Sequence, residues 1–164
     1  MWLRPGLLAV AMLCGAMARA ETLAIMPVKL LDTSGEATDQ RADHERRLAL
    51  VESALAADMK GSERYRATIP VTPEAVAAAC PRETAACLIG AARDAGADAA
   101  LFIVVQKSST LILQVFAHLV DTETTALVAS RELNFRGDTD ESWMRMEHFL
   151  ANQLADATSD APRR

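Results

Sequence analysis

The chain has 164 residues, with 17 basic and 22 acidic side chains and a net charge of −5 when histidine is neutral. An acidic protein repels phosphate backbones, so this composition argues against a nucleic-acid partner. The length suits a single domain with a sizeable hydrophobic core.

The first 20 residues, MWLRPGLLAVAMLCGAMARA, predict a secretory signal peptide. Arg4 supplies a positive start, residues 7–17 are apolar, and Ala18-Arg19-Ala20 places small side chains where a signal peptidase reads them. The apolar stretch is about 11 residues long, too short for a bilayer that needs about 20. We expect cleavage after Ala20 and export to the periplasm. Loss of two arginines would leave 15 basic against 22 acidic residues, a net charge of −7.

The N-terminal half predicts strands and helices in alternation. An apolar run at 22–32 contains Pro27 and predicts a first strand that ends near this residue, because proline cannot donate to a sheet ladder. Residues 33–42 are polar and predict a loop. Apolar side chains at steps of three and four predict a helix from Asp43 to Gly61. The next predicted elements are a strand at 65–71, a short helix at 73–79 and a helix at 84–95.

Residues 100–135 predict a meander of three antiparallel strands. The run ALFIVVQ is almost entirely apolar, which suits a strand that is covered on both faces. The next run, LILQVFAHLV, alternates in the manner of a strand with one buried face. The predicted strands are 100–106, 111–120 and 126–135, with turns at 107–110 and 121–124.

The final helix has clear local signals. Asp138 stands three residues before Glu141, which predicts a capping box with Asp138 as the cap. Trp143 begins an apolar stripe at helical spacing, so we expect it in the core. Residues 157–164 predict a disordered tail. The whole pattern predicts one α/β domain at 21–156, a mixed sheet of about five strands with a C-terminal antiparallel meander and helices packed on the sheet.

Cys80 and Cys87 are the cysteines that remain after the signal peptide, and an even number in an oxidising compartment favours a disulfide. In one continuous helix they would lie about 10 Å apart, whereas a disulfide needs Cα atoms within about 7 Å. Cys80 must therefore lie outside the helix that carries Cys87, and Pro81 provides a turn. Free thiols and a metal or redox site are the alternatives.

Motifs of catalysis and cofactor binding are missing from the sequence. It has no GxGxxG, GxxxxGK[ST] or GxSxG, and His44-Glu45 lacks the second histidine of HExxH. We interpret His44 as a solvated helix residue. The acidic run at 137–142 lacks the ligand spacing of a calcium loop. We therefore expect no catalytic residues, no metal and no cofactor.

Gln114 and His118 lie on the second face of a predicted strand. They could line a groove together with Trp143, which would suit a small ligand. Polar residues on the solvent face of a sheet are the simpler interpretation.

The C-terminal half resembles a family of predicted secreted bacterial proteins of unknown function. In that family a cysteine pair precedes a "GAD" strand, a strand pair follows with "QK-S-LIL" and "D--T", and "RG-TDESW" opens the last helix. The match covers about residues 80–150 and is fairly specific. The matching residues are Cys80, Cys87, Gly96, Ala97, Asp98, Gln106, Lys107, Ser109, Asp121, Thr124, Arg136, Gly137, Thr139, Asp140, Glu141, Ser142 and Trp143.

More distantly, the layout is similar to the N-terminal domain of the translocation protein TolB. It is also similar to periplasmic modules of curli-secretion and penicillin-binding-protein activator lipoproteins. Those modules bind other proteins and are not known for catalysis. Leu13 before Cys14 does not fit a lipoprotein signal, so this chain departs from the lipoproteins in lacking their lipidated cysteine.

The resemblance implies a non-catalytic accessory or adaptor protein that binds a periplasmic or envelope protein. We expect the partner-binding determinants at the surface, in the "QKSS" turn and the "GDTDES" helix start, with Lys107, Ser109, Asp138, Asp140 and Trp143 as the candidate residues. A small-ligand or cofactor-binding accessory of a periplasmic oxidation system is the alternative function. An unrecognised hydrolase is a weaker one.

The predicted disulfide can be tested by the intact mass of the secreted protein. We expect a mass lower than that of the dithiol by two hydrogen atoms, because the compartment is oxidising. Free thiols in a freshly prepared sample would contradict this prediction.

Overall fold

A computed structural model describes residues 21–159, which form one six-stranded mixed sheet and four helices. The predicted signal peptide lies outside these residues, as does the tail beyond residue 159. The strands are β1 (Glu21–Ile25), β2 (Lys29–Asp32), β3 (Tyr65–Pro70), β4 (Ala99–Lys107), β5 (Leu113–Asp121) and β6 (Leu127–Phe135). The helices are α1 (Arg41–Lys60), α2 (Pro73–Ala79), α3 (Ala85–Asp94) and α4 (Asp140–Ser159), the last of which runs three residues into the predicted tail.

The sheet has the order β3-β1-β4-β5-β6. β1 pairs in parallel with β3 and with the first part of β4. The strands β4, β5 and β6 pair antiparallel in sequence order, which is the predicted meander. The predicted fold class, a mixed sheet with helices packed on it, is confirmed.

β2 is a strand that the sequence analysis missed. After a break at Pro27 the chain returns to the same edge of β4, and β2 pairs in parallel with its second half. The backbone N–H groups on either side of Pro27 are hydrogen-bonded. Met26 N donates to Leu101 O (3.1 Å), and Val28 N donates to a Glu52 carboxylate oxygen (2.7 Å). Proline therefore interrupts the strand without ending the sheet, and the described chain has six strands.

The core has two layers, one on each face of the sheet. The larger layer packs α1 and α4 against alternate residues of the meander, such as Leu101, Val115 and Leu119. The smaller layer packs α2 and α3 against Ala24 and Ala100 on the opposite face. The cover of the second face is incomplete, because Val104 of β4 is exposed there.

Cys80 and Cys87 are joined by a disulfide, with Cα atoms 5.8 Å apart. Cys80 follows the last residue of α2, and Cys87 lies in the first turn of α3, whose start is capped by the Thr84 hydroxyl. The separation into two elements is the geometry that the spacing required. The bond connects α2 and α3, the two helices that cover the second face of the sheet.

Glu147 of α4 is a buried acid, 2% exposed, whose Oε1 has no hydrogen-bond partner among the described residues. Burial raises the pKa of Glu147 to about 7, and the negative charge of Asp58 on α1 adds to this effect while His148 opposes it. Since the charged form is the one that burial disfavours, ionisation of Glu147 destabilises the folded protein.

We expect the free energy of unfolding to fall as the pH rises from about 5 to about 8. The folded pKa of Glu147 lies above the unfolded value, so its favourable contribution is complete at low pH and is lost through pH 7. Glu147→Gln should raise the free energy of unfolding at pH 8 by about 3 kcal/mol and flatten this pH dependence. Urea denaturation at several pH values measures both effects.

Glu141→Gln, which neutralises an exposed acid of the same helix, is the matched control. Parallel pH profiles for the wild type and Glu147→Gln would show that Glu147 does not carry the charge penalty.

Candidate functional site

Lys107 and Asp138, two of the predicted surface determinants, are the buried centre of a group of charges that we call the Asp138 cluster. The side chain of Lys107 is 0% exposed and that of Asp138 is 1% exposed. The cluster consists of Asp32, Glu36, His44, Arg47, Lys107 and Asp138. Its members come from the end of β2 and the following loop, the first turns of α1, the end of β4 and the segment before α4.

Backbone hydrogen bonds bring these segments together. Lys107 is the last residue of β4, and its carbonyl accepts from Thr33 N (2.8 Å). Asp138 N donates to Thr110 O (2.9 Å), and Gly137 N donates to Leu111 O (3.3 Å), so the β4–β5 hairpin is bonded to the entry of α4. Gly137 has φ +87°, a conformation that glycine adopts without strain.

Asp138 is the centre of the cluster. Its Oδ2 lies 2.8 Å from Lys107 Nζ and 2.8 Å from His44 Nε2. Its Oδ1 accepts from Arg47 Nη1 (2.8 Å) and from Trp143 Nε1 (2.8 Å). An ionised carboxylate can only accept, so His44 Nε2 carries the proton here. Four donors fill the lone pairs that a carboxylate offers.

Lys107 is satisfied in the same way. Its ammonium donates to Asp138, to Glu36 Oε2 (3.1 Å) and to Gln40 Oε1. Three acceptors use the three N–H donors of a lysine. Asp32 Oδ2 lies 3.9 Å away and adds negative charge.

The electrostatics of the cluster favour fully charged partners. Burial alone would raise the pKa of Asp138, but hydrogen bonds from Lys107, His44 and Trp143 outweigh it and hold this pKa at about 2. Burial lowers the pKa of Lys107, yet Asp138 and Glu36 more than compensate and the net shift is upward. The pKa of Glu36 is lowered by the Thr110 hydroxyl and by Lys107.

A cluster in this state is poorly suited to acid–base or nucleophilic chemistry. The Asp138 carboxylate has its acceptor positions filled, and the Lys107 ammonium is held in its charged form. Ser34 Oγ donates to Asp32 (2.6 Å), so within the described chain it is not hydrogen-bonded to a histidine that could activate it. Residues 21–159 also contain no group of three or more histidine, cysteine or acidic side chains that could hold a metal. The arrangement connects elements of the fold.

Three sequence-based expectations are wrong here. Lys107 and Asp138 are buried, because each has opposite charges around it and the hairpin folds back on α4. Asp138 does not cap α4: the Thr139 hydroxyl accepts from Ser142 N (3.3 Å) instead. His44 is not a solvated helix residue, since it is 5% exposed and bonded to Asp138.

The other predicted determinants have different positions. Asp140 is at the surface, where Arg46 Nη1 (2.6 Å) and Arg47 Nε (2.8 Å) donate to it. Ser109 shapes the hairpin, because its hydroxyl accepts from Leu111 N and Ile112 N, both at 3.2 Å. Trp143 is a core residue, as its spacing predicted, and is 1% exposed with its ring edge-on to Phe135.

Gln114 and His118 do not form a groove with Trp143. In β5 they alternate with Val115 and Ala117, which lie in the core layer that contains Trp143. They therefore lie on the opposite face of the sheet. There Gln114 donates to Glu132, and His118 Nδ1 is 3.2 Å from Ser130 Oγ.

Asp32, Glu36 and Arg47 are members of the cluster that the sequence analysis missed. A signal for α1 was present: the apolar stripe of Val51 and Leu55 continues backward to position 44 at helical spacing, and position 47 borders it. Asp32 could have been found as the end of β2, but Pro27 indicated that the strand stops before this segment. Glu36 lies in a polar loop without a periodic pattern.

The comparisons with known proteins agree with this fold. The sequence matches the family DUF3280, described as "Protein of unknown function (DUF2380)", over residues 21–154. The chain belongs to this family, which confirms the resemblance to a family of unknown function. No curated protein matches it.

Solved structures share the fold at low sequence identity. PelC from Paraburkholderia phytofirmans, described as a dodecamer, has a TM-score of 0.54 and 16% identity, with 87% of this chain and 90% of that one covered. TolB from Acinetobacter baumannii has a TM-score of 0.52 and 14% identity, over 88% of this chain but 29% of TolB. The hypothetical protein CT253 from Chlamydia trachomatis has a TM-score of 0.52 and 10% identity, over 86% and 99%. The expected TolB-like fold is thus confirmed.

We expect Asp138→Asn to destabilise the protein strongly, because it removes the buried charge that Lys107 and Arg47 share and leaves each of them with a more exposed acid, Glu36 or Asp140. Removal of one partner from a buried ion pair costs about 3 to 5 kcal/mol. Chemical denaturation followed by the fluorescence of Trp143 measures the change.

Asp140→Asn is the matched control, since Asp140 forms its ion pairs at the surface and should matter little. Equal losses in the two variants would contradict the central role of Asp138.

Proposed function

We propose that the protein is a non-catalytic accessory protein of the cell envelope that binds another protein. The signal-peptide pattern supports export, and none of the helices within residues 21–159 is long and apolar enough to cross a membrane. The saturated Asp138 cluster supports a role other than catalysis. The family and the shared folds are compatible with this view and do not name a partner.

The observation that carries the proposal is an exposed apolar pair at the end of the β4–β5 hairpin. Leu111 is 67% exposed and Ile112 is 57% exposed. We call this pair the hairpin tip. The pair is separated by Thr110 from the "QKSS" turn that was proposed from the sequence as a partner-binding region. The proposed region is therefore the same hairpin, with Leu111 and Ile112 as the contact residues in place of Lys107 and Ser109.

The hairpin tip is held in place by polar contacts. Ser108 N donates to Ile112 O (3.0 Å), and the Thr110 hydroxyl donates to Glu36 (2.7 Å). Glu36 in turn binds Lys107 of the Asp138 cluster. Large apolar side chains on a pre-ordered loop bind with a smaller loss of conformational entropy than those on a flexible one. The tip is thus connected to the Asp138 cluster through Thr110 and Glu36.

Asp140 borders the same end of the molecule and remains a candidate for the rim of this surface. Its carboxylate is about half exposed and lies between two arginines of α1. Rim charges of this kind affect the association rate and the salt dependence more than the affinity.

The proposal can be tested by site-specific photocrosslinking in the cell that makes the protein. A photoreactive amino acid at Ile112 should give a defined crosslinked species with an envelope protein. The same amino acid at Asp94, an exposed position at the end of α3, should not give it.

The double variant Leu111→Asp/Ile112→Asp should abolish this species. It should leave the free energy of unfolding within about 0.5 kcal/mol of the wild type, because both side chains are exposed. Crosslinking that is equal at Ile112 and Asp94, or that survives the double variant, would refute a docking role for the tip.

A further inference from the structure

A groove runs between the outer edge of β6 and helix α4. It encloses about 610 Å³. Its apolar side includes Phe149, which is 55% exposed in the middle of α4. The residues that define this β6–α4 groove are Leu133, Phe135, Arg136, Arg145, Met146 and Phe149.

β6 is an open edge of the sheet. It is the last strand in the sheet order and pairs with β5 on one side, and within residues 21–159 no strand pairs with its other side. It has nine residues without a proline. Proteins usually protect such edges with proline, short strands or covering elements, because unpaired N–H and C=O groups attract another strand.

The opposite edge shows the usual protection. β3 has six residues and ends at Pro70. Both edge strands lie against a helix: the Thr68 hydroxyl of β3 donates to Ala56 O of α1 (3.0 Å), and Arg131 of β6 donates to Gln153 O of α4 (3.3 Å). The two edges differ in length and in proline, and β6 is the longer edge and has no proline.

The groove is lined by two basic residues, Arg136 and Arg145, and by one acidic residue, Glu132, whose carboxylate accepts from Gln114. Arg136 is exposed at the end of β6, and its guanidinium forms no ion pair with an acid of the described chain. Arg145 pairs with Glu141 four residues earlier, and both of these side chains are largely exposed. An exposed pair of this kind contributes little to stability, so Arg145 can exchange its partner readily.

We propose that the β6–α4 groove binds an extended segment of a partner protein, which adds to the sheet as a strand beside β6. Backbone hydrogen bonds to β6 would provide affinity, and pockets for alternate side chains would provide selectivity. The segment carries apolar side chains that pack against Phe149 and Met146, and an acidic side chain that meets Arg136 and Arg145.

A second copy of the chain fits this groove less well. Pairing of β6 with β6 about a two-fold axis keeps the faces of the two sheets continuous. The incoming strand would then present Arg131 and its apolar neighbours toward α4, rather than an acid toward Arg136 and Arg145. The acid of β6, Glu132, pairs with Phe116 on the opposite face and already accepts from Gln114.

The groove is continuous with the hairpin tip. Phe135 pairs with Leu113, and Gly137 N donates to Leu111 O, so the charged end of the groove lies next to the exposed tip. The inference therefore rests on the proposed function for the assumption that the ligand is a protein. Variants of the tip and of the groove test the two ideas separately.

The experiment uses the purified mature protein and phage-displayed peptides of the length of β6, nine residues. We expect enrichment of peptides with alternating apolar side chains and an aspartate or glutamate. A synthetic peptide of the enriched sequence is then titrated by fluorescence anisotropy. Proline at two adjacent central positions should abolish binding, because one of any two neighbouring N–H groups of the added edge strand faces β6.

Four variants locate the bound peptide. Arg136→Glu and Phe149→Ala should each weaken the affinity about tenfold, equivalent to about 1.4 kcal/mol. Arg93→Glu reverses an exposed charge on α3, and Leu50→Ala truncates an exposed apolar side chain on α1; both lie outside β6 and the groove and should leave the affinity unchanged. Thermal midpoints of all four variants confirm that they are folded.

Failure to enrich any peptide, or enrichment of basic peptides, would overturn the proposal. Equal losses in the groove variants and the controls would also overturn it. A concentration-dependent dimer in sedimentation equilibrium, lost in Phe149→Ala, would show that a second copy occupies the groove instead. If the photoreactive amino acid at Ile112 gives no specific crosslink while the enriched peptide still binds, the proposed function of the tip is refuted and the groove proposal stands.

Discussion

The carboxylate of Asp138 is the contact on which the other parts of the molecule depend. It joins the end of β4 through Lys107, the start of α1 through His44 and Arg47, and the core of α4 through Trp143. These elements are distant in sequence, and the carboxylate links them in addition to their apolar contacts, the ion pairs of Asp140 with α1 and the backbone hydrogen bonds of the hairpin. A buried charge network is selective in its geometry, because each member that loses its partner remains charged and unsolvated. Here it fixes how the hairpin, α1 and α4 meet.

The same arrangement bears on which parts of the molecule are available for binding. The groups with the strongest capacity for chemistry are engaged in holding the fold, with their donors and acceptors occupied. The described surface has two features suited to binding. One is the apolar hairpin tip, which is connected to Glu36 through the Thr110 hydrogen bond. The other is the open edge of β6 beside Phe149. The two surfaces meet near Gly137. We propose both surfaces as contacts for another chain, and the Asp138 cluster bonds the segments that lie behind them.

Periodic patterns made most of the fold predictable. The meander, α1, α4 and the separation of Cys80 from Cys87 follow from spacing, since alternation and helical periods report which side of an element is buried. β2 was hidden because four residues after a proline are too few to show a period. The burial of Lys107 could not be predicted from local sequence, because it depends on carboxylates about 30 and 70 positions away. His44 was misread for the same reason: its partner lies 94 residues further along.

That separation bears on the order of events in folding. The meander joins neighbouring strands through short turns, so its contacts close small loops and can form early. The bonds of Asp138 with α1 close a loop of more than 90 residues, and they require α1 and α4 to be docked already. We infer that the Asp138 cluster forms after the rate-limiting transition state of folding. Contacts that form after the transition state change mainly the rate of unfolding. The cluster therefore slows unfolding, whereas the apolar core drives folding.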